Sequence, residues 1–257
     1  LLYARFATKA LRDLGYLTFN EPFKHLFHQG TITKDGAKMS KSKGNTVSPD
    51  IFVNEYGSDT FRCYLMFMGP FDEGGDWNDR GITGIHRFLS RYWRLSQNIK
   101  SYDLSDEDNY ILHSTVKTVT ENLSEMKFNT AISRLMEFVN YFYEKGITAD
   151  ISNILTQLLS PLAPHISEEV WSQNNNDSIF ITKWPSYNEE MLIRNTVKIV
   201  IQINGKLRGS IEVDKSIDKE TILSLSKENI KILPHLENKQ IIREIYVPGK
   251  LVNLVVK

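Results

Sequence analysis

Apolar residues recur along this chain with two different periods, and the change of period divides it. From Leu1 to Leu14 they fall at Leu2, Phe6, Ala10, Leu11 and Leu14, a helical spacing, with Gly15 placed as a C-terminal cap. Asn20-Glu21-Pro22 marks a turn, and Phe23 to Gln29 is expected as a short helix or strand. Ser48-Pro49-Asp50 combines a capping hydroxyl, Pro at the first helical position and an acid in the first turn. That predicts a helix ending at Tyr56-Gly57. Ser58-Asp59 is expected to cap the next helix, which runs to Met68 before Gly69-Pro70 stops it. Phe61, Tyr64, Leu65 and Met68 share one face there, with Cys63 packed as a small hydrophobe. Phe71 to Arg80 is polar and is expected as a loop and a domain boundary.

From Gly81 to Trp171 the helical period persists. A helix over about residues 82–100 turns Ile85, Leu89, Tyr92, Trp93 and Ile99 inward, while Arg87, Arg91 and Arg94 make a basic stripe at i, i+4, i+7. That stripe suits either an RNA backbone or a solvated face paired with local acids. Ser105 or Asp106 caps a second helix reaching about Lys127, and Asn129 caps a third. The third carries a broad apolar stripe at Ile132, Leu135, Met136, Val139, Phe142 and Tyr143, expected as bundle core. Asp150 to Leu159 starts a fourth helix. Pro161 and Pro164 interrupt it, and a further helix is expected with Ser167 as its cap and His165 as a structural turn residue. Asn174 to Ser178 is a polar linker, and Ile179 to Pro185 is expected to be extended.

Near Thr196 the period drops to two. Val197 to Ile203 alternates, Asn204-Gly205 is a strong hairpin signal, and Lys206 to Val213 returns. A helix follows from Asp218 to about Lys227, and Pro248-Gly249 joins a second strand pair over residues 241–256. This predicts a small α+β unit with Lys198, Lys206, Arg208 and Lys250 on or beside its strands and turns.

Charge and cysteine usage then narrow the classes. Lys+Arg and Asp+Glu number 31 each, so no argument runs from global basicity to nucleic acid. Cys63 is the only cysteine, which excludes an intrachain disulfide and fits a reducing compartment. No apolar run approaches the roughly 20 residues that span a bilayer. The expected localisation is cytoplasmic. His25 and His28 stand three apart without an acidic or cysteine neighbour, so no metal site is expected there. The chain opens inside an amphipathic pattern, without Met or a cap, and is expected to be a fragment.

One stretch fits none of the periods. Residues 31–49, TITKDGAKMSKSKGNTVSP, hold Lys34, Lys38, Lys41 and Lys43 among serines and glycines. Mobile ammonium groups, short hydroxyls and a backbone free to bend suit a polyphosphate. Contacts that form as charge moves onto a leaving pyrophosphate would stabilise the transition state. The plain alternative is a solvated basic loop. No GxxxxGK[ST] or GxGxxG is present, which sets a kinase-like phosphate binder aside.

KMSKS followed by KGN and Ser-Pro-Asp resembles the second signature of class I aminoacyl-tRNA synthetases. The strings LLYARF, DTFRCYLMFMGPF, FNTAISRLMEFVN, LLSPLAPHISEEVW, ITKWP, VIQINGKLRG and YVPGKLVNLVV occur in order. Together they resemble the C-terminal portion of the bacterial-type leucyl-tRNA synthetases, over essentially all 257 residues. The resemblance implies a multidomain, mainly α fold. Residues 1–71 would be the tail of a Rossmann-type catalytic domain, 72–188 an α-helical bundle of the anticodon-binding type, and 196–257 an α+β tRNA-contacting module. It implies that Lys38 and Lys41 hold ATP phosphates, that Ser40 and Ser42 assist, and that Met39 anchors the loop. It further implies ATP with Mg2+ as substrate, tRNA(Leu) as partner, contacts by shape and backbone from Arg87, Arg91, Arg94, Lys206, Arg208 and Lys250, and a monomeric enzyme.

Departures accompany the resemblance. No HIGH-type motif, leucine pocket or editing domain is present in these residues, so the chain alone is expected to be inactive and to need an N-terminal catalytic half. Its apolar N-terminal region is expected to expose surface. The alternatives are a non-enzymatic tRNA-binding fragment, a subunit of a split synthetase, or a valyl, isoleucyl or methionyl relative.

Overall fold

A computed structural model describes residues 1–193, 196–237 and 239–257. The chain forms two compact units. One holds Leu1–Ser105 and Ile111–Tyr187, and the other holds Asp106–Tyr110 and Asn188–Lys257. Among the described residues no helix is long and apolar enough to cross a membrane.

The larger unit opens with α1 (Leu2–Asp13), ended by Leu14 and a left-handed Gly15. Its apolar residues have the expected spacing but no cover: Leu2, Tyr3, Phe6 and Leu14 are exposed, and only Thr8 is buried. Beyond it, Glu21 receives hydrogen bonds from Arg5 at 2.8 Å and lies 3.3 Å from Lys9. Residues 23–29 form neither helix nor strand, against expectation, and Phe23, Leu26 and Phe27 stay exposed.

A small sheet follows, in the order β2-β1-β3. Strands β1 (Thr31–Lys34) and β2 (Ala37–Lys38) form a hairpin, and β3 (Gly74–Trp77) pairs with β1 in parallel. The segment expected as a polar loop therefore contains a strand. Glycine permits it: Gly30, Gly69 and Gly74 approach neighbouring backbone so closely that a Cβ would sit 2.0–2.5 Å from it. Trp77, at the end of β3, is buried. Its ring meets Phe52 and Tyr64 edge-on at 4.8 and 5.0 Å, which ties the sheet to α2 (Pro49–Tyr56) and α3 (Ser58–Phe67).

The α2 start is where Pro49 places it, although the Ser48 side chain makes no capping bond. Ser58 and Asp59 do not cap α3. Gly57, at φ 86°, fills that position, and the nearly buried Asp59 carboxylate serves another helix. It accepts the Ile166 amide at 2.7 Å and lies 2.8 Å from His165 Nδ1, in the first turn of α8 (Pro164–Ser172). That helix begins at Pro164, so Ser167 is an interior, fully buried residue and not its cap, and His165 belongs to helix, not turn.

Helices α4 (Ile82–Ser96), α5 (Asp106–Ser124), α6 (Phe128–Phe142) and α7 (Ala149–Leu159) supply most of the remaining core. Ile85, Leu89, Tyr92, Ile132, Leu135, Val139 and Phe142 are buried as their spacing predicts, while Met136 and Tyr143 are half-buried. Each fully buried side chain of this kind contributes about 1.5–3 kcal/mol. Trp93 and Ile99 depart from expectation, at 36% and 43% exposed. α4 stops at Ser96, so Ile99 leaves the helical face, and the bridge Ile99–Ile147 fixes it instead. Asn129 lies inside α6, whose cap position is Lys127. Ile179–Ile181 is a short 3-10 turn where an extended segment was expected.

In the smaller unit β4 (Thr196–Ile203), β5 (Lys206–Asp214), β6 (Ile241–Val247) and β7 (Leu251–Val256) form a sheet in the order β5-β4-β7-β6. Ile199, Ile201, Ile203, Val252, Leu254 and Val256 alternate onto one buried face with Ile222 of α9 (Lys219–Glu228) and Ile232. Asp218 caps α9 by accepting the Thr221 amide at 2.9 Å. A four-residue helix, α10 (Leu233–Leu236), precedes β6.

Candidate functional site

The lysine-rich stretch is not one flexible loop. Its first half is the β1–β2 hairpin, turned by Asp35 and Gly36 at φ 55° and 69°, a pairing that matches strand twist. Asp76 of β3 holds the turn from outside. Its Oδ1 accepts the Thr33 hydroxyl at 2.5 Å and the Gly36 amide at 3.0 Å. These bonds, the Thr33 hydroxyl first, keep the Asp76 carboxyl below its ordinary range. Lys34 reaches Asp79 at 3.8 Å, so this lysine is internally paired.

The second half winds through a 3-10 turn, Lys41–Lys43, closed by a left-handed Gly44. Asn45 bridges back across it. Its Oδ1 accepts the Ser40 amide at 2.8 Å, and its Nδ2 donates to the Lys38 carbonyl at 3.3 Å. Ser40 and Ser42 hydroxyls meet at 2.8 Å. Met39 and Val47 pack partly buried against the core, so the loop is pinned between its lysines. Lys38, Lys41 and Lys43 are exposed, and none has an ion-pair partner among the described residues. The result is three unneutralised ammonium groups on a tethered backbone, an arrangement able to take a polyanion.

The arginine stripe does not present three equivalent charges. Arg87 is exposed. Arg91 stacks over Tyr143, 3.9 Å from the ring centre, and Arg94 donates to the Tyr143 hydroxyl at 3.4 Å. Arg94 and Trp93 also face an open cleft of about 540 Å³, lined further by Tyr56, Asp59, His86 and His165. In the smaller unit Lys206 and Arg208 follow the Asn204-Gly205 turn and Lys250 follows Gly249, all exposed. They do not converge. Lys206 sits opposite Ile203, while Lys250 precedes the Leu251–Val200 pair, roughly 10 Å down the sheet at 3.3 Å per residue. Among the described residues no group of three or more His, Cys, Asp or Glu comes together as a metal site.

Residue reasoning missed Asn45, Asp76 and Asp59. Asn45 had a visible signal, a short amide directly after a loop glycine. Asp76 and Asp59 had none, because their partners lie 40 to 107 residues away.

Comparison with known proteins identifies related chains. The family described as tRNA synthetases class I (I, L, M and V) matches residues 8–77, and the anticodon-binding domain of tRNA ligase matches residues 109–223. A leucine--tRNA ligase from Clostridium perfringens is 45% identical over the whole chain, and one from Fervidobacterium nodosum is 43% identical. A crystal structure described as the ternary complex of Agrobacterium radiobacter K84 agnB2 LeuRS, tRNA and LeuAMS is 33% identical. It covers all of this chain and 36% of its own, with a TM-score of 0.68. The chain spans about a third (34%) of the length of the curated relatives. A signature loop, two family matches and whole-length identity coincide, and the chain belongs to the class I tRNA synthetases of the leucyl type.

Proposed function

We propose that this chain forms the phosphate-contacting and tRNA-contacting part of an enzyme that activates leucine with ATP and transfers it to tRNA(Leu). The observation that carries this reading is the tethered loop with Lys38 and Lys41 exposed and free of ion pairs. In the reaction a leucine carboxylate oxygen bonds to the α-phosphorus of ATP as the bond to the β-phosphate oxygen breaks. Leucyl-adenylate forms and pyrophosphate leaves. Lys41, with Lys38, neutralises charge on the departing pyrophosphate, and each charge-assisted hydrogen bond contributes about 1.5–3 kcal/mol. Ser40 and Ser42 add hydroxyl donors, and Met39 fixes the loop to the core. Mg2+ enters with ATP as substrate.

Residues 1–71 serve as the catalytic-domain tail, 72–188 as the helical bundle and 196–257 as the terminal tRNA-contacting module. Arg87 and Arg94 on α4, beside the open cleft, and Lys206, Arg208 and Lys250 approach the RNA backbone, with Arg91 partly committed to Tyr143. The portion of the relatives that this chain does not match supplies the rest of the adenylation site. The exposed Leu2, Phe6, Leu14 and Phe19 offer apolar surface to it. A lone, buried cysteine supports a reducing, cytoplasmic setting for the enzyme.

Leucine-dependent ATP–pyrophosphate exchange tests this reading. It compares the chain alone, the chain mixed with a separately made remainder, and that mixture carrying Lys41→Ala. Exchange is expected only in the mixture, with a drop of about 10–100-fold on Lys41→Ala for one charge-assisted contact. Exchange by the chain alone, or an unchanged rate with Lys41→Ala, would overturn it.

A further inference from the structure

We infer that Asn45 is a positioning residue for adenylation: its carboxamide closes residues 38–45 into a ring that fixes where Lys38 and Lys41 stand. The inference rests on the phosphate-binding reading above. Asn45 spends both ends of its amide on the loop's own backbone, accepting from Ser40 N at 2.8 Å and donating to Lys38 O at 3.3 Å. Its oxygen and one of its two amide hydrogens are committed to backbone on both sides of Met39, so the side chain acts chiefly through its neighbours. The two groups it binds flank Met39, which packs against the core. The loop is therefore held at both sides of its anchor, and Lys38 and Lys41 leave it from fixed backbone positions.

Gly44 makes the return possible. At φ 65° it turns the chain so that residue 45 faces residues 38 to 40, while Lys43 and Gly44 amides close the 3-10 turn onto Ser40 and Lys41 carbonyls. Those backbone bonds hold the turn itself. Asn45 alone among the loop's side chains ties that turn back to the hairpin strand carrying Lys38. A residue that both accepts and donates is required, and a short carboxamide does so within this span. A displacement of about 1 Å at groups meeting a transition state can cost roughly 100-fold in rate, so a tether here acts on catalysis.

The test uses the complete enzyme carrying this chain and reads kcat and leucine KM in pyrophosphate exchange, beside the melting temperature. Asn45→Ala is expected to lower kcat about 10–100-fold with leucine KM within about twofold. Asn45→Asp keeps the acceptor for Ser40 N and loses the donor to Lys38 O, so it is expected to recover part of the loss. In a Lys41→Ala background, Asn45→Ala is expected to cost less than it does alone, since the share acting through Lys41 is already gone and only that through Lys38 remains. A wild-type kcat for Asn45→Ala beside an impaired Lys41→Ala would overturn the inference and leave the phosphate reading intact. So would losses that multiply in the double variant, or that track the melting temperature with no recovery in Asn45→Asp. Wild-type rates for both Lys38→Ala and Lys41→Ala would instead sink the phosphate reading.

Discussion

Two hairpins in this protein use the same turn and draw their support from different sources. Asp35-Gly36 and Asn204-Gly205 both hold paired left-handed residues, at φ 55° and 69° and at 48° and 78°. The second heads β4 and β5, which share eight paired positions, and β4 continues into β7 over a buried face. The first joins strands with two paired positions, too few to stand alone in water. It persists because β3 pairs with β1, Asp76 clasps the turn and Trp77 carries the sheet into the core. A turn signal thus predicts local geometry in both places. What differs is whether the stability is local or borrowed, and the borrowed one carries the lysines.

The largest effect that can break this contrast lies in the terminal core. Ile201 is fully buried on β4, and Ile201→Ala should cost about 2–5 kcal/mol, much of what a unit of this size holds. Amide exchange is expected to accelerate throughout β4–β7 while Ile32 and Thr33 keep their protection. Loss of protection in both sheets would show that the two hairpins share one cooperative core.

The reciprocal variant is Gly74→Ala. A Cβ there would lie 2.3 Å from the Thr31 carbonyl oxygen, and φ is +86°. Left-handed strain alone costs roughly 1–2 kcal/mol, and the clash with backbone adds to it. The β1–β3 pairing is expected to open, so that amide exchange rises at Ile32 to Lys34, with β4–β7 unchanged. Gly205→Ala is the control: nothing lies within 4 Å of its Cβ, so strain acts alone and both sheets should persist. Equal effects of the two variants would mean that the first hairpin does not depend on β3.

The same contrast explains what could be read from residues alone. The Asn204-Gly205 hairpin, the Pro49 helix start and the α6 stripe are each specified within a few residues, and each forms where its pattern lies. The lysine string was legible as a candidate phosphate-binding segment for the same reason, since its exposed lysines lie within a few residues of one another. β3 was not, because Gly-Gly-Asp-Trp has neither β-branched residues nor alternation. It becomes a strand only by lying beside β1. Asp59 showed the same blindness in reverse. It sits where a cap belongs, yet a left-handed Gly57 takes that place and the carboxylate reaches α8. Trp93 pointed inward by spacing but is 36% exposed, because it borders an open cleft and not the bundle core.

Acid should separate the two turns with the smallest effect, and the chemistry of their clasps gives the sign. The first turn is tied by an ionisable carboxylate, Asp76, to Thr33 and Gly36. The second is tied by neutral amides: Asn204 bonds the Val256 amide and carbonyl, and Asn253 accepts from the Gly205 amide at 3.1 Å. Because the Asp76 carboxyl is held below its unfolded value, its contribution is complete above the ordinary carboxylate pKa and fades as pH falls through the lowered one. Asp76 is solvent-exposed, so the change should be a few-fold in the Gly36 amide exchange rate, after correction for intrinsic chemistry. Gly205 should show no matching step. Asp76→Asn removes the titration while keeping an acceptor oxygen, so the acid step at Gly36 is expected to flatten. A step that survives in Asp76→Asn would assign the acid sensitivity to another carboxylate, with Asp35 in the turn itself and Asp79 beside Lys34 as the candidates.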